Sequence, residues 1–517
     1  MKAAQIAIDE SSELNALVYA MRYIALCREG YDEQDYPINL GDWMDVKDFI
    51  PKNPRRWTSV LTDTTLTTST LYLIYHKKLN RHGKYSKYNF LFQNGNKGVL
   101  FNLTTSRVMV LDEKIVEIIK QHKENIDFMK DISSPLYEEM EKNGMIVNDE
   151  CNEAEDIIAK WDEGDKSQSG YHLTILPTLN CNLRCWYCYE EHKASSQMTD
   201  ETMNRILKFL DKKISSEGLK TFNLDFFGGE PLLPFKKRVL PIIQYAANAC
   251  KTHDVNMFLH FTTNGVLLTE ELRNELLKIP LADKPGFQIT IDGNEEKHNK
   301  SRCTASGEPT YRIILDNIFG AVRAGMRVNC RFNYTEDNID SLVDVLDDFE
   351  ELTPEERKLI YFDFQQVWQE KSKTEVREKA LKLANLFMKE DQQVRIEKNY
   401  NNQRCRDDAE NQASINFDGN VYKCTAINIT PDIREGVLNA DGEIEWNERF
   451  HKRMALKYGN KHCKACVIYP ICHGGCSQTK LDADENAECL FGLDDNAKLE
   501  RVRGRLEYIL KTGRVSY

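Results

Sequence analysis

Three thiols at C-x3-C-x2-C spacing, Cys181, Cys185 and Cys188, are the residues of this chain best suited to chemistry. They stand in Pro177-Thr-Leu-Asn-Cys-Asn-Leu-Arg-Cys-Trp-Tyr-Cys-Tyr-Glu190, directly after the apolar run Tyr171–Leu176. Three thiolates on one tight loop can hold three irons of a 4Fe–4S cubane and leave the fourth iron open to a substrate or cofactor. A zinc site is the competing arrangement, with His192 as fourth ligand, although zinc knuckles favour paired C-x2-C elements. Downstream, Asn223-Leu-Asp-Phe-Phe-Gly-Gly-Glu-Pro231, His260-Phe-Thr-Thr-Asn-Gly265 and Gln288-Ile-Thr-Ile-Asp-Gly293 each run from an apolar strand into small or polar residues. Such residues at the C-terminal ends of strands occupy the face where an α/β barrel holds its ligands.

These motifs need elements to position them. Apolar runs at Leu173–Leu176, Phe222–Phe227, Phe258–Thr262, Phe287–Ile291, Val328–Phe332 and Ile360–Val367 read as buried strands. Between and after them, helical periodicity covers Glu201–Ile214, Lys236–Cys250, Glu270–Leu277, Tyr311–Ala324, Ile339–Phe349 and Lys373–Met388. The fold class is therefore α/β. Six strand–helix units imply a parallel sheet curled into a partial (β/α)6 barrel, with right-handed crossovers placing the helices outside.

A second cysteine block follows a polar link around Glu397–Asn402. Cys405 and Cys424 are joined as C-x13-G-x4-C, with Gly419 in a hairpin-like Phe417–Lys423 segment. Cys463-x2-Cys466-x5-Cys472-x3-Cys476 and then Cys489 complete it. A zinc site at Cys463, Cys466, Cys472 and Cys489 is the alternative. Cys330 falls on the fifth strand and reads as a packed core thiol. Cys27, Cys151, Cys250 and Cys303 have no metal-binding pattern. Before the barrel, Tyr88–Leu103 reads as a hairpin around Asn94-Gly-Asn-Lys-Gly98. A strand at Arg107–Leu111, helices at Asp112–His122 and Pro135–Lys142, and an extended Met145–Val147 follow. The domain organisation is thus 1–70 helical cap, 71–165 small α+β element, 166–390 barrel and 391–517 cysteine-rich domain.

The trio, the aromatic Tyr187 before its last cysteine, and the Gly228-Gly229-Glu230-Pro231 strand end resemble the radical S-adenosylmethionine (SAM) superfamily. The second block resembles the SPASM extension of its peptide-modifying members. The 71–165 element resembles the winged-helix-like domain by which ribosomal peptide maturases bind a precursor's leader. This resemblance implies a radical SAM enzyme with one SAM-binding and two auxiliary 4Fe–4S clusters. Cys181, Cys185 and Cys188 would carry the first. Cys463, Cys466, Cys472 and Cys489 would hold the distal auxiliary cluster, and Cys405, Cys424 and Cys476 the nearer one. Two full clusters take four thiolates each, and the block offers seven. The nearer cluster is left with an open iron or a non-cysteine ligand.

By the same resemblance Gly228 and Gly229 make room for the methionine moiety and Glu230 pairs with its ammonium. Thr263 and Asn264 bond the ribose or amino group, and Thr290 the carboxylate or ribose. Asp292, Arg302 and Asn333 are further polar contacts, and Tyr187 lies against the adenine. A bound precursor peptide would then be cross-linked, through a thioether or another side-chain bond. A flavodoxin or ferredoxin would supply the low-potential electron in an anaerobic or microaerobic host. A sulfatase-maturating enzyme and a non-catalytic, metal-stabilised peptide scaffold are the alternatives.

Composition agrees with this class. With 81 acidic against 69 basic residues the net charge is −12, which argues against nucleic acid as the main partner. No stretch approaches the ~20 apolar residues of a membrane span, and residues 1–9 lack an export signal. A cytoplasmic protein with reduced, metal-ligating thiols is expected.

Overall fold

The computed structural model describes residues 82–370, 374–389, 392–396, 404–483, 488–489 and 491–512. The expected helical cap at 1–70 and the link at Glu397–Asn402 lie outside the described residues. The chain divides into two compact units. The first runs to Cys151, apart from Leu103–Ser106, and the second holds the remainder.

In the first unit, β1 (Gly83–Tyr85) is followed by β2 (Asn89–Asn94), β3 (Lys97–Asn102) and β4 (Val108–Asp112). The last three form an antiparallel meander. Gly95 takes a φ of +61° at the first position of the two-residue Gly95-Asn96 turn between β2 and β3, where a primed hairpin turn favours glycine. Helices Glu113–His122, Ile126–Ile132 and Ser134–Lys142 then lead to β5 (Ile146–Asn148), which pairs antiparallel with β1. Leu100, Leu111, Val116, Ile119, Met129 and Met140 close a small core. The expected hairpin, strand and two helices are present. β1 and the Ile126–Ile132 helix were not legible, because Gly-Lys-Tyr and Ile-Asp-Phe-Met-Lys-Asp-Ile are too short for a periodicity to emerge.

The second unit opens with a helix, Glu153–Asp165. Parallel strands then follow in order: β6 (Gly170–Leu176), β7 (Thr221–Phe226), β8 (Asn256–Thr263), β9 (Gly286–Ile291), β10 (Arg327–Tyr334) and β11 (Ile360–Gln366). These are the six expected barrel strands. A seventh parallel strand, β12 (Gln393–Ile396), extends the β11 edge. On the other edge β13 (Gln412–Asn416) pairs parallel with β6, and β14 (Asn420–Tyr422), β15 (Gly436–Leu438) and β16 (Ile444–Trp446) continue antiparallel. The cysteine-rich region therefore shares one sheet with the barrel, where the sequence suggested a separate domain from residue 391.

The strands differ from the expected apolar runs in one respect that matters for function. Their outer face is continuously apolar, and their inner face is mostly polar. Phe222, Leu224 and Phe226, Leu259 and Phe261, Phe287 and Ile289, and Phe362 and Phe364 are buried in one continuous core. Phe226, Phe261 and Phe287 stack in register across three strands, with ring centroids 5.3 and 5.4 Å apart. The alternate residues are polar, among them Asp225, His260, Thr262, Gln288, Thr290, Arg331, Asn333 and Gln365. Period-two alternation sends them to the opposite, inner face of the curled sheet.

Most crossover helices match their expected spans. The exceptions are informative. Phe235–Val239 is a π-helical turn leading into Leu240–Thr252, where Pro241 has no N–H to give to a regular turn. Ile339–Asp344 is a 3-10 segment rather than the start of an α-helix.

Candidate active site

The cysteine loop leaves β6 and is pinned from several sides. Phe227, Gly229 and Glu230 N–H groups donate to the carbonyls of Ile175, Thr178 and Asn180, at 3.0, 3.2 and 2.8 Å. The chain after β7 thus lies directly beside the chain that leads into Cys181. Two glycines make this approach possible. Gly228 sits at φ +116°, and a Cβ there would stand 2.5 Å from the Thr178 carbonyl oxygen. A Cβ on Gly229 would stand 2.3 Å from that of Asn180. Bare backbone is required at both positions by neighbouring protein, before any ligand is considered.

Glu230 fastens this arrangement to the next strand. Its carboxylate accepts from Leu232 N–H (2.9 Å), the Thr263 hydroxyl (2.8 Å) and Asn264 N–H (2.8 Å), and the residue is completely buried. Burial raises its pKa, and the three donors oppose that shift. The Asn264 amide in turn donates to Asn182 at 2.7 Å and reaches the Cys181 sulfur at 3.7 Å. On the far side, Arg184 N–H donates to the Cys303 carbonyl at 3.0 Å and Leu183 bridges to Thr304. The Tyr187 hydroxyl donates to Asp292 (2.7 Å) and accepts from Arg302 (2.8 Å).

A cavity of about 430 Å3 opens at the C-terminal ends of the strands. Cys181, Cys185, Cys188, Tyr187, Gly228, Gly229, Thr263, Asn264, Thr290, Arg302 and Asn333 all line it. Glu230 and Asp292 are not on its wall. Both are buried behind it, Glu230 tying β7 to β8 and Asp292 fixing Tyr187 together with Ser301 (2.8 Å).

The wall also contains residues the motifs did not reveal. Gln288, Arg331 and Gln365 project from β9, β10 and β11, and strict alternation from Thr290 and Asn333 would have found them. Arg331 donates through Nε to Asn333 at 2.8 Å. Glu190 is buried on the wall with Oε1 unpartnered, and burial pushes its carboxyl to about 8. Trp368, 66% exposed, stands at the lip with its ring 5.6 Å from that of Tyr189.

The donor set fits an iron–sulfur cluster. Burial pushes the Cys181 thiol up to about 12 and raises Cys185 and Cys188, so thiolates here need a cationic centre beside them. Among the described residues no three His, Cys, Asp or Glu converge as a single-ion site would. A second cavity, about 350 Å3, is lined by Cys463, Cys466, Cys472 and Cys489, together with Lys498. Gly459 and Gly474 cross beside it, where a Cβ on Gly474 would meet the Gly459 Cα at 2.8 Å. Cys405 lies close enough to both Cys424 and Cys476 for the thiols to raise one another's pKa. Four of the seven C-terminal cysteines share one cavity. Cys330 is wholly buried in the core.

Behind Asp292 the His298 ring is wholly buried, facing the Asp292 N–H and the Thr310 hydroxyl at 3.3 Å each. Burial, with the nearby Arg302 cation, holds its pKa well below the usual 6.5. The folded state therefore keeps a neutral imidazole while the unfolded chain takes up a proton below 6.5. This contribution to stability is present above 6.5 and is lost as pH falls. Unfolding free energy is expected to drop by up to about 1.4 kcal/mol per pH unit below that point, and urea melts of wild type and His298→Gln should show a shallower slope in the variant.

The comparisons with known proteins agree with this geometry. Residues 175–349 match the radical SAM superfamily. A 187-residue stretch is 27% identical to the serine-type anaerobic sulfatase-maturating enzyme of Bacteroides thetaiotaomicron, covering 33% of this chain and 41% of that protein. Over 160 residues the chain is 29% identical to the GTP 3′,8-cyclase of Rhodopirellula baltica, covering 27% and 41%. The match therefore spans less than half of each of these curated relatives. Among solved structures, native anSMEcpe with bound AdoMet and the Cp18Cys peptide superposes with a TM-score of 0.50 at 20% identity, over 67% of this chain and 100% of that one. Streptococcus suis SuiB bound to S-adenosylmethionine gives 0.45 at 16% identity, over 79% and 100%. Residues 175–349 of this chain are a radical SAM domain.

Proposed function

We propose that this protein is a radical SAM peptide maturase that cleaves S-adenosylmethionine and cross-links a ribosomally made precursor, by a thioether or another side-chain bond. The observation that carries this reading is the convergence of Cys181, Cys185 and Cys188 with the polar strand ends on one cavity. Cys181, Cys185 and Cys188 would hold a 4Fe–4S cluster that, with S-adenosylmethionine bound and an electron supplied, would provide the 5′-deoxyadenosyl radical. The chain's own residues do the rest. Gly228 and Gly229 keep the loop closed, and Thr263, Asn264, Thr290 and Asn333 offer hydroxyls and amides to the bound nucleoside and amino acid. Tyr187 is held rigid between Arg302 and Asp292. Trp368 and Tyr189 at the mouth, with Gln365 and Arg331 below, present an aromatic and polar face to a peptide and shield the interior from water.

The Cys463/Cys466/Cys472/Cys489 and Cys405/Cys424/Cys476 groups would hold two auxiliary clusters that take up the electron left after cross-linking. Tyr189 donates to the carbonyl of Thr425, beside Cys424, at 3.1 Å, so the wall of the SAM cavity and the nearer group are continuous. The β4 edge of the first unit, with Val110 69% exposed, is suited to receive the leader as an added strand. A flavodoxin or ferredoxin in the cytoplasm would deliver the electron. No helix among the described residues is long and apolar enough to cross a membrane.

The test is anaerobic reconstitution with iron and sulfide, followed by SAM and dithionite, with 5′-deoxyadenosine quantified. The wild type is expected to form it and a Cys181/Cys185/Cys188→Ala variant to form at least about a thousandfold less. Equal yields from both would overturn the enzyme reading. The names of the sulfatase-maturating relatives favour a second reading, oxidation of a peptide Cys or Ser to formylglycine. Trapping the product with a hydrazine separates them, since a cross-linked peptide carries no aldehyde.

A further inference from the structure

The Glu153–Asp165 helix precedes the barrel in the chain, yet its last turn is packed among segments that carry the auxiliary cysteines. The Asp165 carboxylate accepts from Arg404 at 2.5 Å, from the Lys457 ammonium at 3.1 Å and from the Tyr458 hydroxyl at 3.3 Å. Asp162 accepts from Tyr458 at 2.8 Å and pairs with Lys457 at 3.3 Å. The Arg404 guanidinium lies over the rings of Trp161 and Tyr458, 5.4 and 4.8 Å from their centroids. The Arg404 and Lys457 side chains are 8% and 5% exposed. Lys480, also buried, donates its ammonium to the Lys457 carbonyl at 3.1 Å and has no ion-pair partner among the described residues. Resting on the reading of the seven cysteines as holding two auxiliary clusters, we propose that Arg404, Lys457 and Lys480 form a buried cationic bridge between those clusters. Asp165 fixes the bridge, and its charge raises the clusters' affinity for the electron released by the substrate radical.

Two observations carry this. The first is placement. Arg404 directly precedes Cys405. Tyr458 leads into Gly459, where an added Cβ would stand 3.0 Å from the Cys463 sulfur. Trp161 meets the ring of His473, the residue after Cys472, edge-on at 4.9 Å. Lys480 stands on the short helix that Cys476 caps. The network therefore touches the chain beside cysteines of both groups. The second is charge. A buried cation is costly unless an anion is close, and Asp165 is shared between two cations and a hydroxyl. Asp162 is also paired with Lys166. Asp408 and Glu410 stand farther off, 3.9 Å from Arg404 and 4.0 Å from Lys457. Arg404 Nε and Nη2 are buried without a hydrogen-bond partner. The carboxylates in contact leave this positive charge incompletely balanced, and thiolate-bound clusters would supply the remaining anion. When a substrate radical closes its new bond it gives up one electron and one proton, and the electron adds a negative charge to the cluster that takes it. A fixed buried cation favours that reduced state, and a low-dielectric interior carries the attraction over several ångströms without direct contact.

The experiment uses the full chain carrying Cys181/Cys185/Cys188→Ala, so that only the auxiliary clusters remain after anaerobic reconstitution with iron and sulfide. Iron per chain and midpoint potentials from EPR-monitored dithionite titration are compared for this parent and for added Arg404→Gln, Asp165→Asn and Glu163→Gln. The parent is expected to hold about eight irons, four per cubane. Arg404→Gln should lower at least one auxiliary midpoint by about 59 mV or more, a tenfold loss in the one-electron equilibrium constant. Asp165→Asn should move that midpoint upward, because the cations lose their counter-charge. Glu163→Gln, the same charge change at an exposed position of the same helix, should leave both midpoints in place. A site that had merely loosened would not answer loss of a cation and loss of an anion with opposite signs. If Arg404→Gln holds no iron, Asp165→Asn decides, since it keeps nearly the shape of Asp: an upward shift supports the bridge and an unmoved midpoint overturns it. Unmoved midpoints, or shifts of one sign, in variants that keep about eight irons would overturn the proposal. A parent holding fewer than about eight irons would remove the two clusters between which the bridge stands, and the iron assay shows this before any potential is measured. No SAM cleavage is read, so a failure of the enzyme reading appears in the nucleoside assay and not here.

Discussion

Replacing Glu230 with alanine is expected to cost the fold about 3–5 kcal/mol, because it strips the acceptor from three buried donors at once. Leu232 N–H, Asn264 N–H and the Thr263 hydroxyl all end on this carboxylate. Glu230 is wholly buried, so water does not readily replace the lost acceptor. The loss should be read as a lower urea midpoint with an unchanged slope. Nucleoside formation should fall at least about tenfold in the fraction that stays folded, since Asn264 also holds Asn182 beside Cys181. Glu230→Gln should be the milder change, because its amide nitrogen meets a donor at only one end of the side chain. A Glu230→Ala protein within about 1 kcal/mol of wild type would show that the carboxylate does not tie β7 to β8.

The second large effect belongs to Gly229→Ala. Its new Cβ would meet the Asn180 carbonyl oxygen at 2.3 Å and the Leu179 carbonyl carbon at 2.6 Å. Both contacts are backbone, so no side chain can swing away. The chain carrying Cys181 must move instead. Displacing a reacting group by about 1 Å can cost about a hundredfold in rate, and a loss of that order in 5′-deoxyadenosine formation is expected. It should be accompanied by lower iron content in a variant whose auxiliary cysteines are removed. Gly218→Ala is the control. Gly218 has positive φ (+84°), which Gly229 does not, and nothing lies within 4 Å of the added Cβ. It should show only the about 1–2 kcal/mol strain of a left-handed alanine. Similar activity losses in both variants would mean that the contact with the cysteine loop is not what makes Gly229→Ala costly.

Much of this was legible in the sequence, and the reasons are specific. The six barrel strands appear where apolar runs placed them, because burying one face of a sheet under helices demands Phe, Leu and Ile at every second position. The functional motifs appear at strand ends because only there can short polar side chains reach a shared cavity. What was not legible depends on the third dimension. Gln288, Arg331 and Gln365 are unremarkable inside a strand until the sheet curls and its inner face becomes a wall. Glu230 carries a recognisable motif, yet its direction is decided by donors on a strand more than thirty residues away.

The pairing of β13 with β6 has a consequence for how the molecule is assembled. A boundary near residue 391 suggests that barrel and cysteine-rich region are interchangeable modules, able to be cut apart or recombined. Register from Gln412–His172 to Asn416–Leu176 makes them partners instead. A chain ended at 391 would present β6, the strand that delivers the first cysteine, as a naked apolar edge, and such edges recruit one another into aggregates. Inheritance of the two regions is therefore coupled: the barrel keeps its leading strand protected only in the company of the region that follows.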